Sequence, residues 1–236
     1  MLVKQWMATK PIVIDENISI MKACQLMKEH SIRRIPVVKQ DRIVGIVSDR
    51  DIKDAAPSKT ASMDDHKLYY LLSETKIKDI MTPHPLTLRK NDSVEKAAVI
   101  MLENRISGLP VVNDKDQVVG MITQTDIFKV MVSITGIYHS PIQLAFDIED
   151  YPGSINNLVN IIRSHEARLA SVLTCQEHVS SGRIEVYVRI KDISDEQLET
   201  LVEELKEEFN ILYVIREDIS EIPKKVIKVI KDGDGD

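Results

Sequence analysis

The sequence predicts a mixed α/β chain in two parts, a tandem pair of β-α-β-β-α units followed by a smaller α+β unit of order β-α-β-β-α-β. Three observations carry this. The first part repeats itself, the hydrophobic pattern changes near Ile142, and the charge changes sign: +3 over residues 1–140 and −9 over 141–236.

The repeat has a period of 74. At that shift Met7, Pro11, Asn17, Ser19, Lys22, Ala23, Met27, Glu29, Ile32, Pro36, Val37 and Val38 meet identical residues between Met81 and Val112. After one extra residue in a turn, Asp41, Val44, Gly45, Asp51 and Ile52 meet Asp116, Val119, Gly120, Asp126 and Ile127. Each copy reads as a short strand entered through a proline, then a helix capped by Ser19 or Ser93. The helices show an apolar face of Ala23, Cys24 and Met27, or Ala97, Ala98 and Met101. Two β-branched runs follow in each copy: Ile35–Val38 with Ile43–Val47, and Leu109–Val112 with Val118–Ile122. A helix opens after the second run. One copy cannot cover both faces of so small a sheet, so the two are expected to pack together. Between them, residues 55–63 read as a loop and 68–72 as a short helix.

The second part starts with a strand at Ile142–Ile148, a turn at Tyr151-Pro152-Gly153 and a helix at Ile155–His165. Strands at Leu169–Gln176 and Ile184–Ile190 lead to an amphipathic helix with Leu198, Leu201, Val202, Leu205 and Phe209 on one face. Its other face holds Glu199, Glu203, Glu204, Glu207 and Glu208, the source of much of the negative excess. A last strand at Leu212–Ile215 completes the order of a ferredoxin-like sandwich. The expected boundaries are 1–135, 136–221 and a tail at 222–236.

Composition narrows the function. With 236 residues, 43% hydrophobic, the chain has a sizeable core, but a net charge of −6 and 4% aromatics argue against a nucleic-acid polymer as partner. No apolar run approaches the roughly 20 residues that span a bilayer. Cys24 and Cys175 are too few for a disulfide framework, so a reducing, cytoplasmic setting is expected. Six histidines without metal-ligand spacing, no Cys-x-x-Cys, no phosphate-loop motif and no Gly-x-Ser-x-Gly lead to the expectation of no metal and no catalysis.

The informative motif follows each Gly-containing strand: Gly45-Ile-Val-Ser48-Asp-Arg-Asp51 and Gly120-Met-Ile-Thr123-Gln-Thr-Asp126. It has two readings. As a capping box, the hydroxyl and the acid satisfy amides at a helix start. As a nucleoside site, the carboxylate accepts from the two hydroxyls of a ribose, the hydroxyl and free amides suit a phosphate, and the β-branched strands form a slot for a base.

On these elements, residues 3–57 and 77–135 resemble a CBS-domain pair, or Bateman module. The resemblance implies clefts shared between repeats that bind an adenosine-containing ligand such as AMP, ADP, ATP, NAD or S-adenosylmethionine, or no ligand. It implies that Asp51 and Asp126 hold ribose hydroxyls and that Ser48 and Thr123 contact ribose or phosphate. Backbone at Ile35-Pro36 and Leu109-Pro110 would meet the base. Thr9, Lys10, Pro11 and Ile12, with Thr82, Pro83, His84 and Pro85, would line the cleft mouths. The first copy has Arg33, Arg34 and Arg50, as phosphate grips or merely solvated, where the second has Ser107, Gly108 and Thr125.

The second part resembles an ACT domain through Asp150-Tyr-Pro-Gly153 and the order of its elements. That implies dimerisation or amino-acid effector binding, although Glu166 and Arg168 stand where ligand-binding members tend to have Gly and Asn. CBS pair followed by ACT resembles the acetoin-utilisation (AcuB) family. The expected role is an adenine-nucleotide-sensing regulator, homodimeric, with an unidentified protein target in acetoin or neighbouring carbon metabolism; a ligand-free scaffold is the alternative.

Overall fold

A computed structural model describes residues 1–55, 72–177 and 179–223. Most of the expected 55–63 loop and 68–72 helix, together with the tail from residue 224, lies outside them. The chain divides into two compact units, Met1–Val130 and Met131–Asp236. Among the described residues no helix is long and apolar enough to cross a membrane.

In the first unit, the first repeat contains β2 (Ile14–Asp15), α1 (Ile20–Glu29), β3 (Arg34–Lys39), β4 (Arg42–Ser48) and α2 (Asp49–Ala55). The second contains β6 (Leu88–Arg89), α3 (Val94–Glu103), β7 (Gly108–Val112), β8 (Val118–Thr123) and the first half of α4 (Gln124–Thr135), which runs past Val130. The capping serines act as their sequence suggests: Lys22 N–H donates to Ser19 Oγ at 3.3 Å and Lys96 N–H to Ser93 Oγ at 3.0 Å. Ile20, Ala23 and Met27 on α1, and Val94, Ala97 and Met101 on α3, are buried against the sheets.

Each repeat also has an entry strand, and here the fold departs from the simple β-α-β-β-α reading. β1 (Ala8–Thr9) pairs antiparallel with β8 of the second repeat, and β5 (Thr82–Pro83) with β4 of the first. The two sheets are therefore β2-β3-β4-β5 and β1-β8-β7-β6, each completed by the other repeat's entry segment. The exchange extends upstream. Val3 is fully buried in the second repeat's core and Ile77 in the first repeat's, with Val3 N–H donating to Asp92 O and Ile77 N–H to Ile18 O, both at 2.9 Å.

The repeated glycines make room for this crossing. A Cβ on Gly45 would collide with the Met81 sulfur, and one on Gly120 would meet the Met7 sulfur and come within 3.0 Å of Ala8 O. Met7 and Met81 are themselves repeat identities, so one methionine–glycine contact is formed twice.

The second unit is β9 (Ile142–Glu149), α5 (Ser154–Ser164), β10 (Leu169–Cys175), β11 (Arg183–Ile190), α6 (Asp195–Glu208) and β12 (Asn210–Arg216). Its sheet runs β10-β11-β9-β12 with every pairing antiparallel, the ferredoxin-like arrangement. Leu144, Phe146, Leu158, Ile162, Leu201 and Leu205 are wholly buried between the sheet and its helices. Phe209 caps α6 and meets Phe146 edge to face, with ring centroids 6.2 Å apart. Ser194 and Gln197 form a reciprocal capping box at the start of α6, whose five named glutamates are exposed. The last strand starts two residues before the expected Leu212 because Asn210 and Ile211 already pair with Asp147 and Phe146.

The two exchange contacts differ in how they can yield. Gly120→Ala meets backbone as well as a side chain and should cost about 1–3 kcal/mol in denaturant unfolding, the usual range for overpacking. Gly45→Ala meets only the flexible Met81 thioether and should cost less. The reverse order would contradict this account of the crossing.

Candidate functional site

The exchange creates two clefts in the first unit, each built from both repeats. The first, of about 710 Å³, is lined by Ser48, Arg50 and Asp51 from the β4–α2 junction and by Thr82, His84, Pro85, Ser107, Gly108 and Pro110 from the second repeat's side. The second, of about 720 Å³, is lined by Thr123, Thr125 and Asp126 from the β8–α4 junction and by Lys10, Pro11 and Ile12. Arg33, Arg34 and Ser107 line both.

At each junction the hydroxyl and the acid form the capping box. Ser48 N–H and Ser48 Oγ–H both donate to Asp51 Oδ2 at 2.7 Å, and Asp51 N–H donates back to Ser48 Oγ at 3.3 Å. Thr123 N–H and Oγ1–H donate to Asp126 Oδ2 at 3.0 and 2.7 Å. The two readings of the motif are therefore compatible, because capping uses Oδ2 alone. Asp51 Oδ1 has no hydrogen-bond partner among the described residues, whereas Asp126 Oδ1 accepts from Lys129 Nζ at 3.0 Å. The repeat places Asp54 where the second copy has Lys129, which removes that competitor from the first cleft.

Electrostatics favour an anion in either cleft. Arg33, Arg34, Arg50, Lys53 and Arg105 face Asp49, Asp51 and Asp54 in the first; Lys10, Arg33 and Arg34 face Asp126 in the second. Cations exceed carboxylates in both linings. The contrast expected between an arginine-bearing copy and a neutral one is thus evened out, since Arg33 and Arg34 serve both clefts. Burial pulls the Arg34 guanidinium below its ordinary value, with Asp49 opposing the shift and Arg33 adding to it.

Five expected residues do not line either cleft: Thr9 and Pro83, in the paired entry strands, and Ile35, Pro36 and Leu109. Ile35 and Leu109 are wholly buried core residues, because the face of β3 and β7 they occupy is the one covered by α1 and α3. Sequence reading missed His30, Ser31 and Ile32 in the second cleft and Asn104, Arg105 and Ile106 in the first. Ser31 and Arg105 occupy equivalent places and both are left-handed, at φ 52° and 53°; so are Lys10 and His84, at 59° and 49°. These turns just beyond α1 and α3 and just beyond the entry strands present backbone to the clefts at a conformational cost, a common mark of functional loops.

In the second unit, Glu166 keeps a left-handed φ of 59°, the backbone shape that glycine favours, while placing a carboxylate there. Among the described residues no cluster of His, Cys, Asp and Glu could hold a metal ion. Burial pushes the Cys24 thiol up, which disfavours the thiolate.

Residues 3–58 and 77–133 match the CBS domain family. A CBS domain-containing protein of Dictyostelium discoideum is 30% identical over 134 residues, which are 56% of this chain and 92% of that protein. The chain belongs to the CBS-domain family. The L-aspartate semialdehyde sulfurtransferase of Methanocaldococcus jannaschii is 33% identical over 127 residues, 53% of this chain, and the match spans only 22% of that enzyme's length. Among solved structures, CBSX2 from Arabidopsis thaliana is 27% identical over 57% of this chain and 96% of its own, with a TM-score of 0.50. CBSX2 has also been crystallised in complex with AMP; that structure is 29% identical, covers 56% of this chain and 97% of its own, and has a TM-score of 0.47. These matches concern the CBS pair, about half of the chain.

The division of labour between the Asp51 oxygens gives a clean test of the cap. Asp51→Asn keeps an acceptor for Ser48 and should leave unfolding stability within about 0.5 kcal/mol, as for a surface change. Asp51→Ala leaves two donors without their acceptor and should cost about 1–3 kcal/mol. Equal losses in the two variants would contradict the assignment of Oδ2 to capping.

Proposed function

We propose that the CBS pair is a regulatory sensor of adenosine-containing ligands, with AMP, ADP or ATP favoured and NAD or S-adenosylmethionine also suited to the clefts. The supporting observation is the paired carboxylate at each helix start: one oxygen caps the helix, and in the first cleft the other is left available for ribose hydroxyls. In this reading Ser48 and Thr123 contact ribose or phosphate, and Arg33, Arg34, Arg50 and Lys10 take the phosphates. Pro110 and Ile12 flank the base. The chain performs no catalysis; its clefts hold a ligand that biases how the two repeats close on each other, which requires different affinities for the open and closed arrangements.

The second unit is proposed to be an ACT domain that assembles the chain as a homodimer and passes the bias to a protein target, in acetoin or neighbouring carbon metabolism by its resemblance to the AcuB family. A row of Leu173, Tyr187, Ala145 and Tyr213 runs in register across all four strands, on the sheet face opposite the buried core, and favours assembly over amino-acid sensing. Leu173 and Tyr213 in that row are exposed. Glu166 also opposes the carboxylate that an amino-acid ligand would bring.

A thermal-shift titration of the full chain with AMP, ADP, ATP, NAD, S-adenosylmethionine and amino acids tests this reading, with light scattering for the dimer. A ligand at 100 times its Kd should stabilise the chain by about 2.7 kcal/mol. Asp51→Asn should weaken nucleotide binding in the first cleft by about 1.5–3 kcal/mol, the range for a hydrogen bond to a charged group. No response to any adenosine compound would favour the ligand-free scaffold instead.

A further inference from the structure

The module's approximate two-fold symmetry is broken between the clefts, where Arg33 and Arg34 stand in one repeat and Ser107 and Gly108 in the other. The repeat equates Arg34 with Gly108, and these two residues pack on each other. Arg34 Nη2 donates to Ser107 Oγ, and a Cβ on Gly108 would collide with Arg34 Nη1. The guanidinium therefore lies over its own symmetry mate, and the space it occupies leaves no room for a second arginine from the other repeat. It lines both clefts. Of its five N–H donors, one is used by a neutral hydroxyl, and it has no carboxylate within ion-pair distance among the described residues. A partly buried cation in that condition gains most from a multivalent anion, which can accept from its planar fork in two places.

We propose that Arg34 is a single phosphate clamp shared by the two clefts, so that phosphorylated ligands in them compete for it and bind antagonistically. The inference rests on the adenosine reading of the clefts and adds a rule for their joint occupancy. A nucleotide that binds first takes the guanidinium. The second meets both the loss of that cation and the charge of the first phosphate, while a ligand without phosphate meets neither. One cleft filled by a di- or triphosphate then leaves the other better suited to an uncharged or cationic adenosine compound. By linkage the penalty is the same whichever cleft fills first.

Calorimetric titration of the full chain with ADP, adenosine and inorganic pyrophosphate tests this. The ratio of the two stepwise affinities for ADP should exceed the adenosine ratio by about tenfold, within the usual range of site–site couplings. Arg34→Met should bring the two ratios together and weaken ADP more than adenosine. Gly108→Ala, which keeps the charge but displaces the guanidinium, should do the same by an independent route. An ADP excess that survives both variants overturns the proposal. If adenosine binds but ADP binds no tighter, the clamp fails and the sensor reading stands. If adenosine fails to bind but pyrophosphate binds in an Arg34-dependent way, the anion clamp stands and the nucleoside reading fails; if nothing binds, both fail.

Discussion

The segment that enters each CBS repeat is held by the other repeat, and the rest of the first unit follows from that exchange. Val3 and Ile77 fill each other's neighbouring core, the strands Ala8–Thr9 and Thr82–Pro83 complete each other's sheet, and Met7 and Met81 rest on Gly120 and Gly45. Neither repeat can bury its apolar face alone, because the residues that finish the burial come from elsewhere in the chain. Cooperative folding of the pair is the physical consequence. The exchange also makes the clefts composite. Lys10–Ile12 continue from one exchanged strand to the side of Asp126, and His84–Pro85 continue from the other to the side of Asp51.

In the proposed function the capping box and the nucleoside site are one device with two outlets. A helix start needs acceptors for its free amides, and a carboxylate has more acceptor capacity than the cap consumes. What remains faces a cleft whose walls belong to the other repeat. Small differences then decide how alike the two clefts are: Lys129 occupies the spare oxygen in one, and Asp54 stands in the equivalent place in the other. Arg34 removes the symmetry further, since one guanidinium fills a space that two would contest.

The strands and helices were legible because each has its own periodicity, and Ser19 and Ser93 announced two helix starts. The ferredoxin-like unit was legible for the same reason, down to the apolar stripe from Leu198 to Phe209. The exchange was not. Met7 and Gly120, or Gly45 and Met81, were visible as repeated residues, but nothing in a one-dimensional pattern says that they touch across the module. For Ile35 and Leu109 the resemblance implies backbone at the base, and their side chains lie on the face that helices α1 and α3 cover. The turn residues Ser31 and Arg105 carry no glycine signal for their left-handed backbone, so their place beside the clefts emerges only in three dimensions.

In the proposed function an adenosine ligand is held jointly by the two repeats. Backbone amide shifts of the isotopically labelled full chain, followed during an AMP titration, test it most directly. One binding event should perturb Ser48 and Asp51 together with His84 and Ser107, or Thr123 and Asp126 together with Lys10 and Ile12. Perturbations confined to a single repeat, or to the βαββαβ unit, would contradict it.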